Sequence, residues 1–270
     1  MADPVILLDE VSVRLGPTAA LTDVELQVSG GELLGVIGPN GSGKSTLLML
    51  LNGLRRATSG CVRVLGREVA AVRGAGLAAL RYRIGYVPQL PEHDRSIPLS
   101  VRDVVRIGRS GRAGLFHRLG AEDDAIIRKW IDRLDLSGLG DRSYSQLSGG
   151  EQRKVHLARA LAQQPEILLL DEPASNLDIR WQEELTQIIQ QLWEETGVTI
   201  VLVTHDIHQI PSGCGRMLLM SRGMCVAVGP PASVLTPALL ERVFGSPVDV
   251  VERNGRWHLL PTANRGDADG

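Results

Sequence analysis

Aromatic residues are scarce: two Phe, three Tyr and four Trp in 270 residues, with none before Tyr82. A flat ligand held by the N-terminal part of the chain would therefore be gripped without an aromatic stack from it. An excess of charge of one sign is also lacking. Lys and Arg number 29 against 31 Asp and Glu, a net charge of −2. No basic field argues for nucleic acid or an anionic membrane surface, and no nucleic-acid partner is expected. The three cysteines, Cys61, Cys214 and Cys225, are odd in number and lack metal-ligand spacing. They exclude a disulfide framework and are expected as small buried hydrophobes. Long hydrophobic runs are missing: "ILLLDEP" and "VTIVLVTH" have strand length, far short of a membrane span. Met1 is followed by Ala2, Asp3 and Pro4, with no basic stretch leading into an apolar run. No signal peptide is expected, and a cytosolic location follows.

What is present is an ordinary globular balance, 43 % hydrophobic and 22 % charged, in a chain long enough for one large domain or one domain with a small lobe. Apolar strands alternate with helical stretches, the pattern of an α/β domain around a largely parallel sheet. "ELLGVI" reads as a strand entering a glycine-rich loop, "KSTLLMLLNGL" as the helix after it, and "GCVRVLG" and "IGYVPQ" as further strands. Composition then turns helical in "SVRDVVRIGR" and "AEDDAIIRKWIDRL", whose apolar residues share one face. The strand "EILLLDEP", a long helix around "WQEELTQIIQQLWEE", the strand "TIVLVTH" and a hairpin "MLLMSRGMCVAVG" turning at Arg222-Gly223 follow. The expectation is one domain over residues 1–260 with a helical insertion at about residues 89–164. The chain is expected to lose structure after Trp257, with a disordered tail over residues 261–270.

"GPNGSGKST" fits G-x-x-x-x-G-K-[ST] between a strand and a helix, the context that pattern requires. Over Gly38, Pro39, Asn40, Gly41, Ser42 and Gly43, all expected at the nucleotide, the glycines let the backbone curl so that consecutive N–H groups of the loop point at phosphate oxygens. Lys44 can reach the β- and γ-phosphates, and the Ser45 hydroxyl, beside Thr46, can join an Mg²⁺ shell. In "ILLLDEP", Asp171 and Glu172 end a very apolar strand, where a carboxylate is costly unless a cation or donors meet it. Asp171 is suited to hold Mg²⁺ directly or through water, and Glu172 to polarise an attacking water. Asp178, in "SNLD" before a helix, either caps that helix alone or also faces the site. His205 follows a second apolar strand whose C-terminal end shares the nucleotide edge of the sheet, and is expected on the γ-phosphate. Gln89 ends "IGYVPQ" directly before the insertion, where its amide can reach Mg²⁺ or the attacking water. His93, His117, His156, His208 and His258 sit in stretches taken as helix or loop and carry no assignment.

A second glycine cluster opens a helix in "QLSGGEQRKV". Two glycines cost close to 1 kcal/mol each in a helix interior, yet at an N-terminus their bare N–H groups make an anion site. One chain thus carries two phosphate cradles far apart in sequence.

Together these residues closely resemble the nucleotide-binding subunit of an ABC transporter, over about residues 7–260. The resemblance implies an α/β fold: a P-loop ABC ATPase with a RecA-like core, an antiparallel β subdomain and a helical subdomain. It implies a Walker A loop at residues 38–46, a Q-loop at Gln89 and a signature formed by Leu147, Ser148, Gly149, Gly150 and Glu151. It also implies a Walker B strand ending at Asp171 with catalytic Glu172, a D-loop from Ser175 to Asp178, and an H-loop at His205. In this family two subunits pack head to tail, the signature of one covering the γ-phosphate held by the other. An ATP-dependent homodimer with ATP and Mg²⁺, integral membrane permease subunits touched through the insertion, and an extracytoplasmic substrate-binding protein are thereby implied. So is a peripheral position on the cytoplasmic face of a bacterial-type membrane.

Three departures stand out. The family stacks an aromatic on adenine from an early loop, and the matching position here is about Leu15, which implies weaker discrimination between ATP and GTP. The signature ends in Glu151 where Gln is commoner, and Arg153 stands where Gln is usual. Neither signature change falls on Ser148 or the glycines, so catalysis is expected to survive. "PLSVRDVVRIGR", "NLDIRWQEEL" and "GPPASVLTPALLERVFGSPVDVV" look most like ATPases of importers for iron–siderophore complexes, haem or cobalamin. Zinc and manganese importer ATPases come second, through "SVRDVV" and Leu115-Phe116. Other classes fit less well. Soluble repair ATPases need a coiled coil that the stretch before the signature is too short to supply, ribosomal ones carry two cassettes, and a P-loop kinase leaves "LSGGE" unexplained.

Overall fold

The structure is a computed structural model that describes residues 4–89, 98–113, 119–175 and 177–261. In chain order the elements are β1 (Ile6–Leu15), β2 (Thr18–Val28), β3 (Leu33–Ile37), α1 (Lys44–Leu51), β4 (Ser59–Val64), β5 (Arg67–Glu68), α2 (Gly74–Tyr82) and β6 (Ile84–Val87). There follow α3 (Val101–Ala113), α4 (Ala121–Arg133), α5 (Gly149–Ala162), β7 (Ile167–Asp171), α6 (Ile179–Thr196), β8 (Thr199–Thr204), β9 (Arg216–Ser221) and β10 (Met224–Gly229). The chain closes with α7 (Pro231–Val234), α8 (Pro237–Phe244), β11 (Val248–Arg253) and β12 (Arg256–Pro261).

Six strands form one sheet in the order β10-β9-β3-β8-β7-β6, parallel except for the β9–β10 hairpin at its edge. Every residue of β3, β7 and β8 is buried, as expected of parallel strands covered on both faces. The period of two still sorts the side chains. Leu168, Leu170, Ile200 and Leu202 enter one core with α3, α4 and α5. Ile167, Leu169, Val201 and Val203 enter a second core with α1 and the antiparallel sheet β2-β1-β4-β5. The sheet is thus sandwiched between a helical layer and a β layer, the α/β architecture with antiparallel and helical additions that the resemblance implied.

The helices of this layer are tied to one another at Arg109 on α3, which is 1 % exposed. Its guanidinium pairs with Asp123 on α4 at 2.7 Å and donates to the Ala162 carbonyl at the end of α5 at 3.0 Å. The turn at Arg222-Gly223 has φ of +49° and +80°, which is the hairpin geometry predicted there.

Two expectations are corrected. The chain does not lose structure at Trp257: β12 continues to Pro261 and pairs in register with β11, Trp257 opposite Glu252 and Leu260 opposite Asp249. His258 accordingly lies in a strand, with its ring 5.1 Å from that of His208. Residues 262–270, like His93, His117 and Leu115-Phe116, lie outside the described residues. Of the cysteines, all free, Cys214 is buried and Cys61 and Cys225 are half-buried. No helix among the described residues is long and apolar enough to cross a membrane.

Candidate nucleotide site

The sheet register decides where the chemistry gathers. Ile37 pairs with Thr204, Asp171 with Val203 and Val87 with Leu170. The chain therefore leaves β3, β6, β7 and β8 at one level, and Gly38, Gln89, Glu172 and His205 follow within two residues. A cavity of about 670 Å³ opens there, lined by the glycine loop, Gln89, Glu172, Ser175 and His205.

The loop is shaped by its glycines. Gly43 has φ +100°, and a Cβ placed on it would meet the Ala20 carbonyl oxygen at 2.6 Å. Only glycine allows this turn so close to β2. Lys44, 5 % exposed, donates from Nζ to the carbonyls of Gly38 at 2.8 Å and Pro39 at 3.0 Å, and stands 3.9 Å from Glu172 Oε1. Burial lowers its pKa, opposed by the nearby charges of Glu172 and Asp171. A phosphate entering the loop would meet an ammonium already held in place.

Ser45 Oγ donates to Asp171 Oδ1 at 3.1 Å. Asp171 is 2 % exposed, and burial raises its carboxyl pKa against the opposing bonds from Ser45 and Tyr86. The Tyr86 hydroxyl, pushed up to about 12 by burial and by the Asp171 charge, bonds the same carboxylate. Tyr86 went unassigned in the sequence. Its only signal there is its place in "IGYVPQ", three residues before Gln89.

Glu172 is the focus of the site. Its Oε2 accepts from Gln89 Nε2 at 3.2 Å and stands 3.1 Å from His205 Nδ1. Its backbone is in the left-handed region at φ +47°, which costs a non-glycine residue on the order of 1–3 kcal/mol. The conformation is held by its N–H, which donates to Val203 O at 2.9 Å, and by Ser175, whose N–H and hydroxyl both bond the Glu172 carbonyl.

The second glycine cluster sits elsewhere. Ser148 is exposed, caps α5, and with Gly149 and Gly150 does not line the cavity. Glu151 completes a capping box: its Oε2 accepts from the Ser148 N–H and hydroxyl, each at 2.8 Å. Gly150 packs against the indole of Trp181, 2.7 Å from where its Cβ would stand. Asp178 caps α6 by accepting from the Trp181 N–H at 3.0 Å, the simpler of its two predicted roles. Leu15 lines the cavity with Thr18, Ala19 and Ala20, so the wall at the expected base position is aliphatic. The residues of β2 in that wall carried no signal in the sequence.

A glycine-cradled cavity at the C-terminal edge of a parallel sheet, lined by a lysine, a hydroxyl and a carboxylate, with a second carboxylate bonded to that hydroxyl from behind, defines a P-loop nucleoside-triphosphate hydrolase. The family model for the ABC transporter matches residues 21–175. The hemin import ATP-binding protein HmuV of Bordetella avium is 39 % identical over 90 % of this chain and 92 % of its own. The manganese transport system ATP-binding protein MntB of Halalkalibacterium halodurans is 34 % identical over 90 % and 92 %. Among solved structures, an inward-facing transporter assigned to the metal-chelate ABC type superposes with a TM-score of 0.81 at 26 % identity, covering 97 % of this chain and 98 % of that one. The dimeric cassette MJ0796, in a post-hydrolysis state with ADP and Pi, gives 0.72 at 29 %, covering 83 % and 98 %. The chain belongs to the ABC transporter family, as an ATP-binding and ATP-hydrolysing subunit.

Proposed function

We propose that two copies of this chain close head to tail on two ATP molecules, and that the opening and closing of this dimer powers import of a metal or metal chelate through partner permease subunits. The observation that carries the dimer is the separation of the two cradles. The cavity holding Lys44 is open and not lined by Ser148, Gly149 and Gly150, while Ser148 stands exposed at the N-terminus of α5 with Gly149 half-buried beside it, a helix end suited to an anion. A second copy supplies what each cavity lacks, as the dimeric state of the related cassette supports.

Within each site the residues 38–46 loop and Lys44 hold the phosphates. Ser45 and Asp171 fit Mg²⁺. They are adjacent oxygen donors, Ser45 lining the cavity and Asp171 bonded directly behind it, and would hold the ion together with oxygens of a bound phosphate. Mg²⁺ held by Ser45 and Asp171 would supply positive charge to offset that of the phosphates. Glu172 takes the proton of the attacking water, Gln89 orients that water, and His205 contacts the γ-phosphate. Hydrolysis removes the phosphate bridging the two copies, and the dimer opens.

The cargo assignment rests on relatives named for hemin and manganese transport and on the metal-chelate neighbour. An iron–siderophore complex, haem or cobalamin is the first reading, with a zinc or manganese importer second because of the manganese relative. An extracytoplasmic binding protein delivers the cargo, and the subunit works at the cytoplasmic face of the membrane. Ser148→Arg tests the dimer: it should bind ATP yet fail to form an ATP-dependent dimer when placed in the Glu172→Gln background. An undiminished dimer would overturn the head-to-tail arrangement. Co-purification with an integral membrane protein tests the transporter role, and absence of any such partner would count against it.

A further inference from the structure

Arg153 lies on α5 five positions beyond Ser148 and is 6 % exposed. Its Nη2 donates to the Ser175 carbonyl at 3.2 Å and to the Ser175 hydroxyl at 3.4 Å. Ser175 lines the nucleotide cavity, and its own hydroxyl donates to the Glu172 carbonyl at 3.0 Å. A continuous run of bonds therefore joins the signature helix to the backbone of the residue held at φ +47°. Two neighbours on the same helix end elsewhere. Gly150 abuts the Trp181 ring, and Lys154 pairs with Glu184 and lies 4.9 Å over that ring. Of the three, Arg153 alone reaches the cavity wall.

This placement is poor for stability. Arg153 Nη1 is buried with no partner among the described residues, and burial lowers the guanidinium pKa, only partly offset by the charges of Tyr144 and Glu172. A buried charge with an unused donor carries a desolvation cost that its two bonds to Ser175 only partly offset. A local rule broken without a stability gain points to function.

We propose that Arg153 is a positioning residue for ATP hydrolysis. Acting through Ser175, it holds the Glu172 backbone, and with it the carboxylate, in fixed relation to the signature helix of the same copy. The inference rests on Glu172 being the general base.

Arg153→Met, Arg153→Lys, Ser175→Ala and the Met/Ala double variant test it by steady-state ATPase, ATP affinity and thermal unfolding. Arg153→Met should lose about tenfold in kcat with ATP affinity within about twofold, and its Tm should stay close to that of the unaltered protein, the lost bonds to Ser175 being set against the relieved desolvation. Arg153→Lys should recover part of the loss, because an ammonium still reaches a carbonyl. The double variant should be no slower than Arg153→Met alone, the signature of a shared path. An unchanged kcat in Arg153→Met would overturn the proposal, as would a loss that multiplies with that of Ser175→Ala. Should Arg153→Met fail to fold, Arg153→Lys decides: full activity with Lys refutes the role of the fork, and reduced kcat at unchanged Tm supports it. Loss of the ATP-dependent dimer in the Glu172→Gln background would instead indict the dimer. There the proposal expects Arg153→Met to dimerise normally.

Discussion

His205 Nδ1 stands 3.1 Å from Glu172 Oε2, the same oxygen that accepts from Gln89 at 3.2 Å. The loops leaving β6, β7 and β8, three neighbouring strands, thus converge on one carboxylate atom. His205→Ala removes a polar group from that atom and, under the proposed mechanism, from the γ-phosphate. Turnover should fall by about 10²–10³, with ATP affinity little changed. Gln89→Ala should cost less, about tenfold. Phosphate release under saturating Mg-ATP checks both.

The aliphatic wall at Leu15 predicts a nucleotide preference. A base–aromatic stack contributes about 1–3 kcal/mol, and Leu15, Thr18, Ala19 and Ala20 offer neither a ring nor an amide to distinguish adenine from guanine. Values of kcat/KM for ATP and GTP should lie within about tenfold of each other, and Leu15→Tyr should lower KM for both. A strong ATP preference in the unaltered protein would contradict this.

Two adjacent glycines should respond differently to alanine. A Cβ on Gly149 would make an ordinary contact with Leu177 at 3.7 Å, whereas one on Gly150 would stand 2.7 Å from the Trp181 ring. Gly150→Ala should lose about 1–3 kcal/mol of stability as the indole is displaced, and Gly149→Ala should fold normally. Thermal unfolding of the two variants separates them.

His156 predicts acid sensitivity. Burial, with the charges of Arg159 and Arg153, lowers its pKa from 6.5 to about 3, and its Nε2 bonds the Tyr144 hydroxyl at 2.7 Å. The folded state keeps the ring neutral where the unfolded chain is protonated. The stabilisation is fully present above pH 6.5 and is lost as pH falls toward 3, at up to about 1.4 kcal/mol per pH unit. His156→Gln retains an acceptor for Tyr144 and should flatten this dependence, measured as Tm across the range.

Much of the site was legible because its residues are read through backbone geometry. A glycine loop after an apolar strand, and carboxylates ending another, can be placed from sequence once a parallel sheet is inferred, since the C-terminal ends of such strands share an edge. What escaped depends on contacts between segments distant in sequence. Tyr86 reaches Asp171 and Arg153 reaches Ser175 across strands and loops. Nothing in "IGYVPQ" or "GGEQRKV" tells which side chain turns inward. The C-terminal hairpin was missed for a different reason. Charged and polar residues interrupt its strands, Asp249, Glu252 and Arg253 facing Leu260, Trp257 and Arg256, so the alternation that marks a half-buried strand is weak there.

The most direct test is the behaviour of Glu172→Gln on size-exclusion chromatography with saturating ATP and Mg²⁺. The amide keeps the shape of the site but cannot accept the proton of the attacking water, so the variant should bind ATP, turn over slowly, and elute as a dimer that reverts to monomer when nucleotide is removed. A monomer under saturating nucleotide would contradict the claim that each hydrolytic centre is completed by a second copy.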